Sequence, residues 1–353
     1  MSFIFPTGVN RNGNRKIIRG GKNMNTAQLL PLALAAVREA SEVCEQISND
    51  FRRDGDHHQK DDDSPVTIAD YCSQALILHR LHAAAPEIGV VAEEQGGELR
   101  QRPDMCARVF SFAKCGLPGF SAGDLPGLLD LGNHSGGPGG RFWALDPIDG
   151  TKGYLRGGQY AVALALIEDG IPVLGVLGCP RFELEQGPPG ALFFGGRDVP
   201  AAMIRPALSP SRQPIRVFAQ VNRAGARLCE SVESAHTAHD RSGDLIRALG
   251  LNPNALRMDS QAKYAAVALG QAALYMRLPV KKGYREKIWD HAAGVAVIEA
   301  AGGKVSDLNG KPLDFGRGET LSANRGVLAS NGELHEAAVQ ELKTLIPPES
   351  RWV

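Results

Sequence analysis

Trp143-Ala144-Leu145-Asp146-Pro147-Ile148-Asp149-Gly150-Thr151 runs from an apolar strand signal over Arg141–Leu145 into a sharp turn. A buried strand would deliver Asp146 to its end, where Pro147 fixes φ and turns the chain. Asp149 then comes back beside Asp146, with the Ile148 carbonyl between them. Two carboxylates and a backbone carbonyl on one tight turn form an oxygen-only cradle of the kind that suits Mg²⁺. Taken alone, the same residues also read as an ordinary polar Asp-Gly turn.

Other acids at the ends of elements argue for the cradle. Glu93 and Glu94 follow the short apolar strand Ile88–Val91, Asp70 lies in the first turn of a helix beginning near Ala69, and Asp290 opens a helix running to Ala301. Each alone reads as a cap or a solvated acid, because acids at helix starts are favoured in any case. Together they bring several negative charges to one place with cations as the natural counter-charge.

Apolar periodicity sets the surroundings. Leu29, Leu30, Ala33, Val37, Ala40, Cys44 and Ile47 predict a helix over 26–51, capped by Thr26 or Asn25, and a second helix spans 69–84 and stops before Pro86. Residues 95–140 read as loop, with a mobile Gly-rich piece at 132–140. Tyr160–Ile167 and Ile171–Leu177 form a hairpin through Asp169-Gly170. Further on, Ile215–Ala219 and Ala272–Arg277 read as strands, and the neighbourhoods of Asp244–Leu249 and Gln261–Leu269 as helices.

The 353 residues exceed the ~250–300 at which single cores tend to split, so two domains are expected. Pro-rich stretches at 186–189 and 206–214 place the division between 24–205 and 206–353. With 39 Lys+Arg against 39 Asp+Glu the formal charge is zero, which argues against a nucleic-acid or membrane-surface binder. No apolar run reaches the ~18 residues of a bilayer span. Six scattered cysteines without a CxxC pair predict a reducing, cytoplasmic setting. Residues 1–38 carry six basic residues and no acid, so 1–23 reads as an organelle-import segment or as a flexible extension ahead of Met24. Its Gly/Asn richness, with no amphipathic helix, favours the extension, and a monomer is the expected state.

The motif WxxDPxDGT, the paired glutamates, Val66-Thr67-Ile-Ala-Asp70, and Trp289-Asp290-His-Ala-Ala-Gly294 with Glu299 and Ala301-Gly-Gly303 together resemble the inositol monophosphatase superfamily of Mg²⁺-dependent, lithium-sensitive phosphatases. The resemblance spans residues 60–307 in family order. Extended strings resemble the 3'(2'),5'-bisphosphate nucleotidases within it: Ser64-Pro-Val-Thr67, Gly140 to Gly157, Met258-Asp-Ser-Gln-Ala-Lys-Tyr264 and Glu286-Lys-Ile-Trp-Asp-His-Ala-Ala-Gly294. Lys152 stands where inositol monophosphatases usually have a second Thr.

The resemblance implies an α+β fold, a layered α-β-α-β-α sandwich with the site between two domains. It implies two or three Mg²⁺ ions held by Glu93, Asp146, the Ile148 carbonyl, Asp149 and Asp290, with Asp70 and Thr151 orienting and deprotonating the attacking water. It further implies a small nucleotide substrate, adenosine 3'(2'),5'-bisphosphate, with 3'-phosphoadenosine 5'-phosphosulfate (PAPS) left open. Lys152, Ser260, Lys263, Arg277 and His236 would contact that nucleotide, with His239 an alternative to His236. A solvated helix face for Lys263, an edge-strand charge for Arg277, an inositol-phosphate substrate and a non-catalytic nucleotide sensor are the competing readings. Gly119-Phe-Ser121-Ala-Gly123 matches the GxSxG nucleophile elbow, but it lies between Pro118 and Pro126 without the strand-to-helix context the elbow requires.

Overall fold

The computed structural model describes residues 24–54, 68–218, 222–232, 239–278 and 283–346. The extension 1–23, the Ser64–Thr67 string and His236 lie outside these residues.

Helix α1 (Thr26–Asp54) starts at Asn25, which settles the cap: the Gln28 N–H donates to Asn25 Oδ1 and the Asn25 N–H to Gln28 Oε1, both at 2.9 Å. Its predicted apolar stripe is buried, and it packs on helix α2 (Ile68–Ala84). Helix α2 has few exposed faces because other helices and the first sheet surround it. Strand β1 (Gly89–Ala92) follows.

The stretch predicted as loop over 95–140 is largely helical up to residue 132: α3 (Gly96–Arg100), α4 (Pro103–Ala113) and α5 (Leu125–Leu129), joined by 3₁₀ turns. Several of its Pro and Gly residues open helices rather than break them. Pro103 and Pro126 sit in first turns, where a missing N–H costs nothing, and Met105, Cys106, Val109 and Ala113 supply a buried face. Ser121 caps a 3₁₀ turn, its N–H donating to Asp124 Oδ2 at 2.7 Å, as a loop residue rather than a nucleophile. The Gly-rich piece is pinned by the His134 N–H on Val90 O at 2.9 Å and by the Gly140 N–H on Asp169 Oδ1 at 2.9 Å.

Strand β2 (Arg141–Asp149) and the short helix α6 (Thr151–Arg156) carry the motif. Strands β3 (Ala161–Glu168) and β4 (Ile171–Cys179) form the predicted hairpin, with positive φ at Asp169 (50°) and Gly170 (75°). Strands β5 (Ala191–Gly196), β6 (Val199–Arg205) and β7 (Ser209–Pro214) complete a seven-stranded sheet of order β1-β2-β3-β4-β5-β6-β7, in which only β1–β2 is parallel. The expected division at 205/206 falls in the β6–β7 turn. The sheets themselves change after Pro214. The predicted strand at 215–219 is not regular where described: the Ile215 and Val217 N–H groups bond to the carbonyls of Ala201 and Ala301.

The second sheet has the order β11-β12-β10-β8-β9. Its elements run β8 (Leu228–Glu230), α7 (His239–Leu249), β9 (Leu256–Arg257), α8 (Ala262–Ala268), β10 (Leu274–Arg277), α9 (Ala292–Ala300), β11 (Lys304–Ser306), β12 (Val327–Ser330) and α10 (His335–Leu345). Helices α1 and α2 cover one face of the first sheet, α8 and α9 lie between the two sheets, and α7 and α10 cover the far side. The result is the expected five-layer α-β-α-β-α arrangement. Helix α9 can lie this close because β4 offers Gly175, where a Cβ would fall 2.2 Å from the Ala293 carbonyl oxygen. No helix among the described residues is long and apolar enough to cross a membrane. All six cysteines are free thiols, five of them buried.

Candidate active site

Strand β2 does not turn at Pro147 as expected; it continues through Asp149 with a bulge. Asp146 pairs with Ala163 and Asp149 with Ala161, so β2 uses one residue more than β3 over this interval. Side chains alternate along a strand, and an odd offset would place Asp146 and Asp149 on opposite faces; the extra residue returns both to the same side. Pro147 is tolerated at the bulge, and its carbonyl accepts the Ser73 hydroxyl of α2 at 2.8 Å. The turn comes one residue after Asp149. Gly150 (φ 88°) caps α6, and a Cβ there would fall 3.0 Å from Ser260 Cβ, so the two halves of the chain meet at this point.

Parallel pairing of β1 with β2 sets Ala92 opposite Leu145, which lands Glu93 beside Asp146, and the Glu93 N–H reaches Leu145 O at 3.3 Å. Gln74 of α2 holds the next residue from both sides: the Glu94 N–H donates to Gln74 Oε1 at 3.0 Å and Gln74 Nε2 to Glu94 O at 2.6 Å. Asp70, one helical turn before Ser73, is buried on the same face. Asp290 arrives from the residues just ahead of α9.

These five carboxylates act on one another. Burial, then the charges of Asp290, Asp70 and Asp149, push Glu93 up to about 8, against a hydrogen bond with Asp146 that pulls the other way. Asp146 is pushed well above the carboxylate range by burial and by Glu93, Asp149, Asp290 and Asp70. Asp290 rises to about 6 through burial, with Arg277 pulling it down and Asp149 pushing it up. Asp146 Oδ1 is buried without a hydrogen-bond partner among the described residues. A buried acceptor left unmatched inside a ring of acids fits a hard divalent cation, and the donor set is oxygen only.

Thr151 opens α6, and its hydroxyl donates to the Ile148 carbonyl at 3.2 Å. Lys152, beside it, is exposed. Ser260 sits in the left-handed region (φ 64°), a costly conformation for a residue with a Cβ, and its Oγ accepts the Ala262 N–H at 3.1 Å. Lys263 is almost fully buried in α8 rather than on a solvated face. Its Nζ donates to Ser260 O at 2.7 Å and lies 5.3 Å from the Tyr275 ring centroid, and burial lowers its pKa. Arg277 is equally far from being an edge charge. It pairs with Glu286 at 2.8 Å and with Asp290 at 3.3 Å, and Nη2 donates to the Tyr284 hydroxyl at 3.1 Å.

The reading of the sequence assigned no role to the residues behind this surface. Burial pushes Glu286 up, but Arg277 and the His291 hydrogen bond outweigh it, and its carboxyl falls to about 2. His291 Nε2 faces Glu286 Oε2 at 3.1 Å, and Nδ1 faces the Tyr264 hydroxyl at 2.7 Å. Ligand atoms of Glu286, Asp290 and His291 lie within 4.8 Å of one another, yet Arg277 already supplies that group's positive charge. Gln261, fully buried, donates its N–H to Asp149 Oδ2 at 2.6 Å. These residues sat inside the quoted strings, and their buried polar character in apolar surroundings was the available signal.

A five-layer α+β sandwich with a carboxylate ring at the seam of its sheets is the architecture of a metal-dependent phosphatase family. The sequence pattern of the inositol monophosphatase family matches residues 25–346, and the chain belongs to that family. It is similar to the 3'(2'),5'-bisphosphate nucleotidase of Schizosaccharomyces pombe, 39% identical over 88% of this chain and 93% of the relative. It is also similar to the nucleotidase of the same name from Oryza sativa, 38% identical over 91% and 95%. Among solved structures, the inositol monophosphatase from Anabaena (Nostoc) superposes with a TM-score of 0.59 at 22% identity, over 93% of this chain and all of that one. The Thermotoga maritima IMPase gives 0.61 at 19%, over 90% and 97%. These structures share the fold.

Proposed function

We propose that this chain is a Mg²⁺-dependent phosphomonoesterase that removes the 3'(2')-phosphate of adenosine 3'(2'),5'-bisphosphate, giving AMP and inorganic phosphate. The observation that carries it is the ring of Asp70, Glu93, Asp146, Asp149 and Asp290, in which Asp146 Oδ1 is buried without a hydrogen-bond partner among the described residues. The relatives at 38–39% identity bear the nucleotidase name, whereas the inositol monophosphatases are matched at 19–22%. The names of these relatives support the nucleotide over an inositol phosphate, and the solved structures speak to the fold alone.

Glu93, Asp146, Asp149, Asp290 and the Ile148 carbonyl would hold two or three Mg²⁺ ions. Bound there, the ions would supply Lewis-acid neutralisation of the phosphoryl oxygens and activation of water. The chain's own task is to place a base and to bind the remaining charge. Thr151 would take part in deprotonating the attacking water if its hydroxyl exchanged the Ile148 carbonyl for Asp70. Lys152 is exposed beside the turn, where a phosphate would arrive.

Ser260, Lys263 and Arg277, with His236, are assigned to the nucleotide and its uncleaved phosphate. Arg277 enters that role already paired through Nε and Nη2, and Nη1 makes neither of those contacts. Buried free thiols fit a reducing compartment, and we place the protein in the cytoplasm as a monomer. Comparing kcat/KM for adenosine 3',5'-bisphosphate, PAPS and inositol 1-phosphate tests the substrate. A ratio favouring the inositol phosphate would overturn the assignment.

A further inference from the structure

We propose that Gln261 is a positioning residue that sets Asp149 and Asp290 relative to each other, and so sets the affinity of the site for its divalent cation. The inference rests on the metal-site reading above and adds a residue to it. Asp149 comes from the end of β2 in the first sheet and Asp290 from the approach to α9, so their spacing depends on how the two halves dock. Gln261 touches both approaches. Its backbone N–H donates to Asp149 Oδ2 at 2.6 Å. Its side chain brackets Asp290: Nε2 donates to the carbonyl of Trp289 at 2.9 Å, and Oε1 accepts the Gly294 N–H at 3.1 Å.

Neighbours of Gln261 reinforce the grip. Ser260, at positive φ, packs against Gly150, and Asp259 pairs with Arg156 at the far end of α6 at 2.7 Å. The segment Asp259–Gln261 therefore holds α6 at both ends while its last side chain holds the start of α9. Residues that orient metal ligands in this way typically change metal affinity or activity by about 10–100-fold when replaced. An ordinary buried glutamine would satisfy its hydrogen bonds and affect only the fold.

Two variants separate these roles. Gln261→Met keeps the length and volume of the side chain and removes both of its hydrogen bonds, whereas Gln261→Ala removes the volume as well. Mg²⁺ binding is measured by isothermal titration calorimetry without substrate, with KM for adenosine 3',5'-bisphosphate at saturating Mg²⁺ and the melting temperature in EDTA alongside. Both variants are expected to bind Mg²⁺ about 10–100-fold more weakly, with KM within about twofold of the wild type and with kcat restored by added Mg²⁺. Wild-type affinity in Gln261→Met would overturn the proposal, and so would variants whose metal-free fold collapses, since Gln261 would then serve the fold. A wild-type protein that binds no Mg²⁺ would instead overturn the metal site itself.

Discussion

Two groups of buried charge meet at Asp290, and the protein treats them in opposite ways. On the first-sheet side Asp70, Glu93, Asp146 and Asp149 face one another, and Glu93 is pushed up to about 8 by burial and by the charges of Asp290, Asp70 and Asp149. On the second-sheet side Arg277 lies between Glu286 and Asp290, His291 closes the circuit, and Glu286 falls to about 2 although burial pushes it up. Both sets are buried, so desolvation alone does not separate them. The presence of an internal cation does. In the first group burial and neighbouring acids raise the carboxyls of Glu93 and Asp146, while in the second the Arg277 guanidinium offsets Glu286.

The sharpest way to break this comparison is Asp146→Asn. Phosphate release is expected to fall below detection, while the melting temperature in EDTA at pH 8 is kept or rises, because Asn cannot ionise where burial and the neighbouring acids oppose a charge. A variant that loses activity and also loses metal-free stability would show that Asp146 is a structural acid. The counterpart, Glu286→Gln, leaves Arg277 short of one buried partner. Removing one member of such a pair costs about 3–5 kcal/mol, and Asp290 and Tyr284 retain part of it here. Chemical denaturation should therefore show a lower midpoint with or without Mg²⁺, and an unchanged midpoint would contradict the pairing.

The pH dependence follows from the sign of the Glu93 shift. A carboxyl raised from 4.5 to about 8 holds its proton longer in the folded state, so its contribution to stability is present below pH 4.5 and is lost as pH rises towards 8. Buried His335 is shifted the other way, to about 4 by burial and by the charge of Lys304, and its contribution is lost only as pH falls below 6.5. Between pH 6.5 and 8 the melting temperature in EDTA should fall, and Mg²⁺ should stabilise more at pH 8 than at pH 6.5. A flat or rising profile in EDTA would contradict the raised Glu93 carboxyl. The smallest effect is expected at buried Lys263, where Lys263→Ala should raise KM for the bisphosphate more than it lowers kcat. An unchanged KM would confine Lys263 to holding the Ser260 carbonyl.

The chemistry of the first group was legible in the sequence because its acids stand at or near element ends, and the Gly after Asp149 marks the turn into the next helix. How Asp146 and Asp149 converge was not legible, because the bulge is a matter of register against Ala161 and Ala163 on another strand. Residues 95–131 misled in a different way. Counting Gly and Pro predicts loop, whereas Pro103 and Pro126 sit in first turns and mark helix starts. The second group was the least legible. Arg277 read as a nucleotide contact or an edge-strand charge, since Glu286 and Tyr284 reach it only through the docking of the chain ahead of α9 onto β10, and nothing local announces an ion pair. The neutral sum of 39 against 39 hides both arrangements, a cluster of acids that raise one another's pKa values and a second group built on the Arg277–Glu286 pair.

The most direct test is phosphate release from adenosine 3',5'-bisphosphate by EDTA-stripped protein, before and after Mg²⁺ is restored. The account expects no turnover from the stripped protein, and stoichiometric AMP and phosphate once Mg²⁺ returns. Turnover that persists without a divalent cation, or bisphosphate that binds and is never cleaved with Mg²⁺ present, would contradict it.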